Sequence, residues 1–222
     1  MIKPKELKPN STIGIVSPSY WLDEKVLKKA SKYFTDLGYN IILGSSNFLR
    51  CGPFAGTPQN RAEDIHEMFK NPKIDAIVCA RGGYGANKVL PLLDYELIKD
   101  NPKIFLGYSD ITAFLLSISQ KTELITFHGP MLSSFKENFI DYNYHHMLQV
   151  LQLKNERKIF SSRTSPFKVL KSGIGRGRIW GGNMTLLINR IGTPNALSTE
   201  NIILFLLCGH LAQDLIQASL LM

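Results

Sequence analysis

An α/β fold, built on a parallel sheet with helices on both faces, is what this 222-residue chain predicts. Three observations lead there. Short apolar runs alternate with stretches of helical period through the first two thirds of the sequence. Most runs close on a turn-forming or glycine-rich segment. Strands separated by single helices form right-handed βαβ units, whose strands lie parallel. The expected arrangement is Rossmann- or flavodoxin-like.

The elements follow in order. Thr12-Ile13-Gly14-Ile15-Val16, closed by Ser17-Pro18-Ser19, has the composition of a buried strand. Val26, Leu27, Ala30, Tyr33, Phe34 and Leu37 then recur at helical spacing, and Gly38 stands at a C-terminal cap position. Asn40 to Leu43 is the second strand. Thr57-Pro58 opens a helix as cap and first-turn proline, with Ala62, Ile65, Met68 and Phe69 on its apolar face. Asp75 to Cys79 is the third strand, Lys103 to Gly107 the fourth and Leu124 to Phe127 the fifth. The helix between the last two carries Ala113, Leu116 and Ile118. These segments make an N-terminal α/β domain over residues 1–135. Residues 136–172 are more polar, with one amphipathic piece around Met147, Val150 and Leu151, and read as a linker region. Residues 173–222 open on a glycine-rich stretch, followed by a short helix carrying Leu186, Leu187 and Ile191 and a strand from Asn201 to Leu206. The tail over 204–222 is atypical: it is leucine-rich, and Asp214 is its single charged residue.

Composition narrows the function classes. With 44% hydrophobic and 20% charged residues the chain can build a core and is no disordered polyelectrolyte. No apolar run reaches the ~18 residues of a membrane span, and the N-terminus lacks the pattern of a signal peptide. Cys51, Cys79 and Cys208 are too few and too scattered for a disulfide framework or a cysteine metal knuckle, which fits a cytoplasmic setting. The net charge of +8 is concentrated at residues 151–180, where eight basic residues face the single acid Glu156. No nucleic-acid-binding motif accompanies that segment, so a solvated linker or a face awaiting an acidic partner is expected and not a nucleic-acid partner.

In open α/β sheets the ligand sits beyond the carboxyl ends of the strands. Four segments fall there: residues 17–20 (SPSY), 81–85 (RGGYG), 108–110 (YSD) and 128–130 (HGP). Ser109 lies between a strand and a helix, a context similar to a nucleophile elbow but without its second glycine. There a hydroxyl can project toward a substrate while helix N–H groups face an oxyanion. A plain helix cap remains open as its alternative. Arg81-Gly82-Gly83-Tyr84-Gly85 is either a turn needing positive φ or a loop whose N–H groups approach a ligand. His128, at a strand end, is either a base for Ser109 or a structural imidazole. No histidine or carboxylate set has metal-ligand spacing, so no metal and no cofactor are expected.

Together these segments resemble the LD-carboxypeptidase family, which comprises muramoyltetrapeptide carboxypeptidases and microcin-immunity peptidases. The matching pieces are IGIVSPS near the start, residues 55–69, 74–95, 105–115 and 127–131, and GRIWGGNMTLLINRIGTP at 177–194, all colinear. The resemblance implies a serine peptidase that releases the terminal D-alanine of a murein tetrapeptide during peptidoglycan recycling, commonly as a homodimer. It makes Ser109 the nucleophile and the backbone N–H groups of Gly83 and Asp110 the oxyanion hole. Arg81, Tyr84 and Asn183 become substrate-binding candidates. It further implies that residues 173–222 are the incomplete start of a smaller β-rich C-terminal domain.

The chain departs from that family after Leu206. Leu207 stands where the family has its catalytic glutamate, the catalytic histidine has no counterpart, and His210 has no matching context. A serine without a base is a poor nucleophile. The expectation is a truncated or frameshifted copy that is inactive or poorly folded. A non-catalytic binder of peptidoglycan peptides and an amide hydrolase of the microcin-immunity type remain as alternatives. A dinucleotide-binding module is disfavoured, since no acid follows a glycine fingerprint.

Overall fold

The computed structural model describes residues 1–135, 141–152, 168–196, 200–208 and 220–221. In chain order the elements are β1 (Thr12–Val16), α1 (Glu24–Asp36), β2 (Asn40–Leu43), α2 (Pro58–Lys70), β3 (Ala76–Cys79), α3 (Ala86–Val89), α4 (Tyr95–Asp100), β4 (Ile104–Gly107), α5 (Thr112–Thr122), β5 (Phe127–His128), α6 (Asp141–Leu151), β6 (Arg178–Asn183), α7 (Met184–Ile188), β7 (Ile202–Leu207) and β8 (Leu220–Leu221). The main sheet runs β2-β1-β3-β4-β5-β8, parallel from β2 to β5, with β8 antiparallel at its edge. The α/β class and parallel sheet read from the sequence are therefore present.

Strand alternation sorts the core into two layers. Ile13, Ile15, Val78, Ile104 and Leu106 face one side with Leu27 and Phe34 of α1. Ile77 and Phe105 face the other with Ile65 and Phe69 of α2 and Phe114 of α5. Phe69 and Phe105 stack at 5.8 Å. Each buried ring or branched side chain contributes about 1.5–3 kcal/mol. The exposed pairs Lys32–Asp36 and Lys99–Glu96 contribute at most ~1 kcal/mol each. The core decides the fold.

The helix termini follow their local chemistry. Thr57 and Asn60 form a reciprocal capping box ahead of Pro58. Two features differ from expectation. The fifth strand is shorter and later than 124–127, because Leu124 forms a lone bridge with Ile2 before Phe127 joins the sheet. Within the stretch read as linker, α6 buries Met147, Val150 and Leu151 in the α1-side core; residues 136–140 and 153–167 lie outside the described set. Most of the tail, 209–219 with His210, also lies outside it.

The C-terminal piece is a two-stranded parallel sheet, β6-β7, seated on α5. Thr112 Oγ1 accepts the Asn183 N–H at 3.2 Å. Arg190, 2% exposed, donates to the Ala113 carbonyl and the Ser117 hydroxyl at 3.1 and 2.9 Å. Every residue of α5 from Thr112 to Ser119 is buried, between the main sheet and this piece.

Candidate active site

Ser109 heads the turn joining β4 to α5 and has φ +62°, in the left-handed region. A serine there carries backbone strain of about 1–2 kcal/mol, which only surrounding structure can impose. The turn is also where the hydroxyl leaves the sheet edge. The β3–α3 loop lies directly against it. A Cβ added to Gly82 would come within 3.0 Å of the Ser109 Cβ and 3.3 Å of its Oγ, so a side chain there would press on the nucleophile's turn. Gly83, at φ +132°, is backed by Tyr20: an added Cβ would meet that ring at 2.4 Å.

Ser109 and Asp110 line a cavity of about 280 Å³ together with Gly83, Tyr84, Gly85, Asn87 and Lys88 on one wall. Asn183, Thr185, Leu186 and Asn189, from the β6–α7 corner, form the other. The cavity thus lies between the N-terminal domain and the C-terminal piece. Its size suits a small polar ligand. Of the predicted site residues, Ser109, Gly83, Asp110, Tyr84 and Asn183 meet here. Arg81 does not line it: its guanidinium donates to the Trp21 carbonyl at 3.3 Å and lies over the Tyr20 ring. The Asn183 side chain caps α7 by accepting the Leu186 N–H.

Beneath the cavity runs a buried polar network. Asp110 Oδ2 accepts from the Ser19 hydroxyl at 2.6 Å and the Ala86 N–H at 3.1 Å. Arg61, 1% exposed, donates to the carbonyls of Pro18 at 2.9 Å, Thr57 at 3.3 Å and Gly85 at 3.5 Å. Burial pushes the Asp110 carboxyl up from its ordinary value, opposed by Ser19, by Ala86 and by the Arg61 charge. Burial likewise pulls Arg61 down, opposed by Asp110.

His128 is 2% exposed, edge-on to the rings of Tyr108 and Phe205, and does not line the cavity. Its Nε2 has no hydrogen-bond partner among the described residues. Burial lowers its pKa to about 4. In this geometry it is a neutral core imidazole. Among the described residues the cavity lining includes the hydroxyl-bearing Tyr84, Ser109 and Thr185, three asparagines, Asp110 and one lysine, but no histidine.

The comparisons fit this geometry. Residues 13–129 match the family model described as the LD-carboxypeptidase N-terminal domain. The chain belongs to the LD-carboxypeptidase family. A probable murein peptide carboxypeptidase of Bacillus subtilis is 37% identical over 205 residues, covering 92% of this chain and 64% of that protein. The microcin C7 self-immunity protein MccF of Escherichia coli is 36% identical over 176 residues, 66% of this chain and 49% of that one. An MccF-like protein from Bacillus anthracis superposes with TM-score 0.85 at 31% identity, over 96% of this chain and 71% of the other. The chain thus spans just under two thirds of the Bacillus subtilis relative's length. Among its described residues no helix is long and apolar enough to cross a membrane.

The strain at Ser109 in this member of the family is measurable. Ser109→Gly is expected to raise stability by about 0.5–1 kcal/mol, because the relief of left-handed strain exceeds glycine's added unfolded-state entropy. Ser109→Ala keeps the Cβ and should be nearly neutral. Urea unfolding of the three proteins checks this; an alanine variant as stabilised as the glycine one would place the gain elsewhere.

Proposed function

We propose that this chain carries the nucleophile of a serine-type LD-carboxypeptidase that acts on murein tetrapeptide in cytoplasmic peptidoglycan recycling. The observation that supports it most is Ser109, held in a strained turn on a cavity wall beside Gly83 and the start of a helix. In this reading Ser109 Oγ attacks the carbonyl carbon of the L,D bond before the terminal D-alanine. The carbonyl oxygen becomes an oxyanion facing the N–H groups of Gly83 and Asp110. The C–N bond then breaks, the serine proton ends on the leaving amine, and water later hydrolyses the ester. Tyr84 and Asn183 contact the peptide from opposite walls; Arg81 acts from outside the cavity.

That proton needs a carrier. Leu207, at the end of β7, occupies the position of the family's glutamate, and among the described residues no histidine reaches the wall. The 222-residue chain alone is therefore held to bind peptide without turning it over. An oxyanion hole and binding by themselves leave only a residual effect on the order of 10³-fold over water. The test is D-alanine release from murein tetrapeptide, read by mass spectrometry beside calorimetric binding. Saturable binding with no release is expected. Release that survives Ser109→Ala sinks the nucleophile assignment, and release that Ser109→Ala abolishes sinks the claim of inactivity. The likeness to structures of MccF holding aspartyl sulfamoyl adenosine and glutamyl sulfamoyl guanosine favours one second reading, hydrolysis of an aminoacyl-nucleotide amide. Tighter binding of an aminoacyl sulfamoyl nucleotide than of tetrapeptide decides for it.

A further inference from the structure

We infer that the Asp110 side chain, with Ser19, is a positioning device: it ties the loop that carries the oxyanion donors to the nucleophile's own turn. The inference rests on Ser109 being the nucleophile and adds a task to the residue beside it, whose side chain reaches away from the reacting atoms.

Three loops end at the site and nothing in the main-sheet ladder joins their tips. The loop after β1 holds Ser19, the loop after β3 leads to Ala86, and the turn after β4 holds Asp110. One oxygen, Asp110 Oδ2, accepts from both of the other loops, at 2.6 and 3.1 Å. All three partners are buried: Ser19 is 0%, Ala86 1% and Asp110 2% exposed. Arg61 fastens the same two loops from behind, through the carbonyls of Pro18 and Gly85. The Tyr20 N–H also donates to the Gly82 carbonyl at 3.3 Å. Gly82 and Gly83 lie between these fastenings, and Gly83 rests on the Tyr20 ring one residue beyond Ser19.

The physical consequence is preorganisation. Two glycines in series are the most freely rotating backbone in a chain, and oxyanion stabilisation is strong only when its donors need no reorientation during reaction. A carboxylate fixed to the residue that follows Ser109, and bonded across to the far end of the glycine loop, removes that freedom. Hydrogen bonds to a charged acceptor are also about twice as strong as neutral ones. Both donors converge on one oxygen, so an asparagine amide oxygen placed there keeps both bonds, whereas alanine loses both.

The test needs a tetrahedral adduct but no turnover. A tripeptide boronic acid, with boron in place of the attacked carbonyl carbon, gains a bond from Ser109 Oγ to boron. The hydroxyl proton passes to solvent, and the boron becomes tetrahedral and anionic, visible in its ¹¹B NMR shift. Affinities for the boronate and for unreactive tetrapeptide are measured on the parent chain, Asp110→Ala, Asp110→Asn, Ser19→Ala and Ser109→Ala. Asp110→Ala should weaken the boronate about tenfold or more, the equivalent of one hydrogen bond to a charged group, and weaken it about fivefold more than it weakens unreactive tetrapeptide. Asp110→Asn should recover most of the loss, and Ser19→Ala should fall between. A purely structural role would lower the unfolding midpoint of the alanine variants and leave the boronate-to-peptide ratio of the folded chains unchanged; that result overturns the inference. If Asp110→Ala does not fold, Ser19→Ala decides by the same ratio. Absence of a Ser109-dependent adduct on the parent chain overturns the nucleophile reading and this inference with it.

Discussion

Replacing Arg61 with leucine is expected to cost about 3–5 kcal/mol, a large part of a domain's typical stability. The side chain is 1% exposed and supplies donors to three backbone carbonyls, those of Pro18, Thr57 and Gly85. A leucine fills the space but leaves those carbonyls without that donor, at about 1–3 kcal/mol for each that is left unpaired. It also removes the nearby positive charge that opposes the burial of Asp110. Urea unfolding followed by far-UV circular dichroism gives the number. Arg61→Lys should recover only part of the loss, since one ammonium cannot serve carbonyls on three separate segments. A leucine variant that unfolds within 1 M urea of the parent's midpoint contradicts the account.

The second large effect is with acid. His128 has its pKa lowered to about 4 by burial, against an ordinary 6.5. Its folded value lies below its unfolded one, so the unfolded chain binds the proton more readily between those values. Stability is therefore complete above about pH 6.5 and falls as pH drops toward 4, where the loss levels off. A gap of that size corresponds to about 3 kcal/mol. Burial pushes Asp64 and Asp110 the opposite way, up from their ordinary values, and those two groups favour the folded chain as pH falls. The comparison that isolates His128 is with His128→Phe, which suits the ring-lined pocket and does not titrate. The parent should lose about 3 kcal/mol more than the variant between pH 7 and pH 4. Parallel stability curves would mean that the imidazole finds a proton acceptor on folding.

Much of this was legible in the chain because it depends on local period. The runs at 12–16 and 75–79 are strands in the sheet at nearly those bounds, since buried parallel strands must be continuously apolar, and 40–43 is its half-exposed edge strand. Ser109 and Tyr84 meet on one cavity because neighbouring strand ends in such a sheet converge, whereas Asn183 reaches it from the separate β6-β7 sheet. What stayed hidden depends on direction and depth. Nothing in the local sequence marks Arg61 as buried, and only the carbonyls of three separate segments make its burial tolerable. Arg81 adjoins the glycine turn, but nothing local says that its side chain runs back to Trp21. The amphipathic signal around Met147 was visible, whereas its packing against α1 and the sheet needed the third dimension. His128 was left between two roles, and its burial away from the cavity selects the structural one.

The enclosure of α5 also sets a timetable for synthesis. Its eight successive buried residues have two coverings: the main sheet, complete through β5 by residue 128, and a piece that begins at residue 178 and whose Arg190 bonds back to Ala113 and Ser117. At roughly 5–20 residues per second, the intervening stretch takes a few seconds to leave the ribosome. For that interval the nascent sheet can form while the outer face of α5 still awaits its cover.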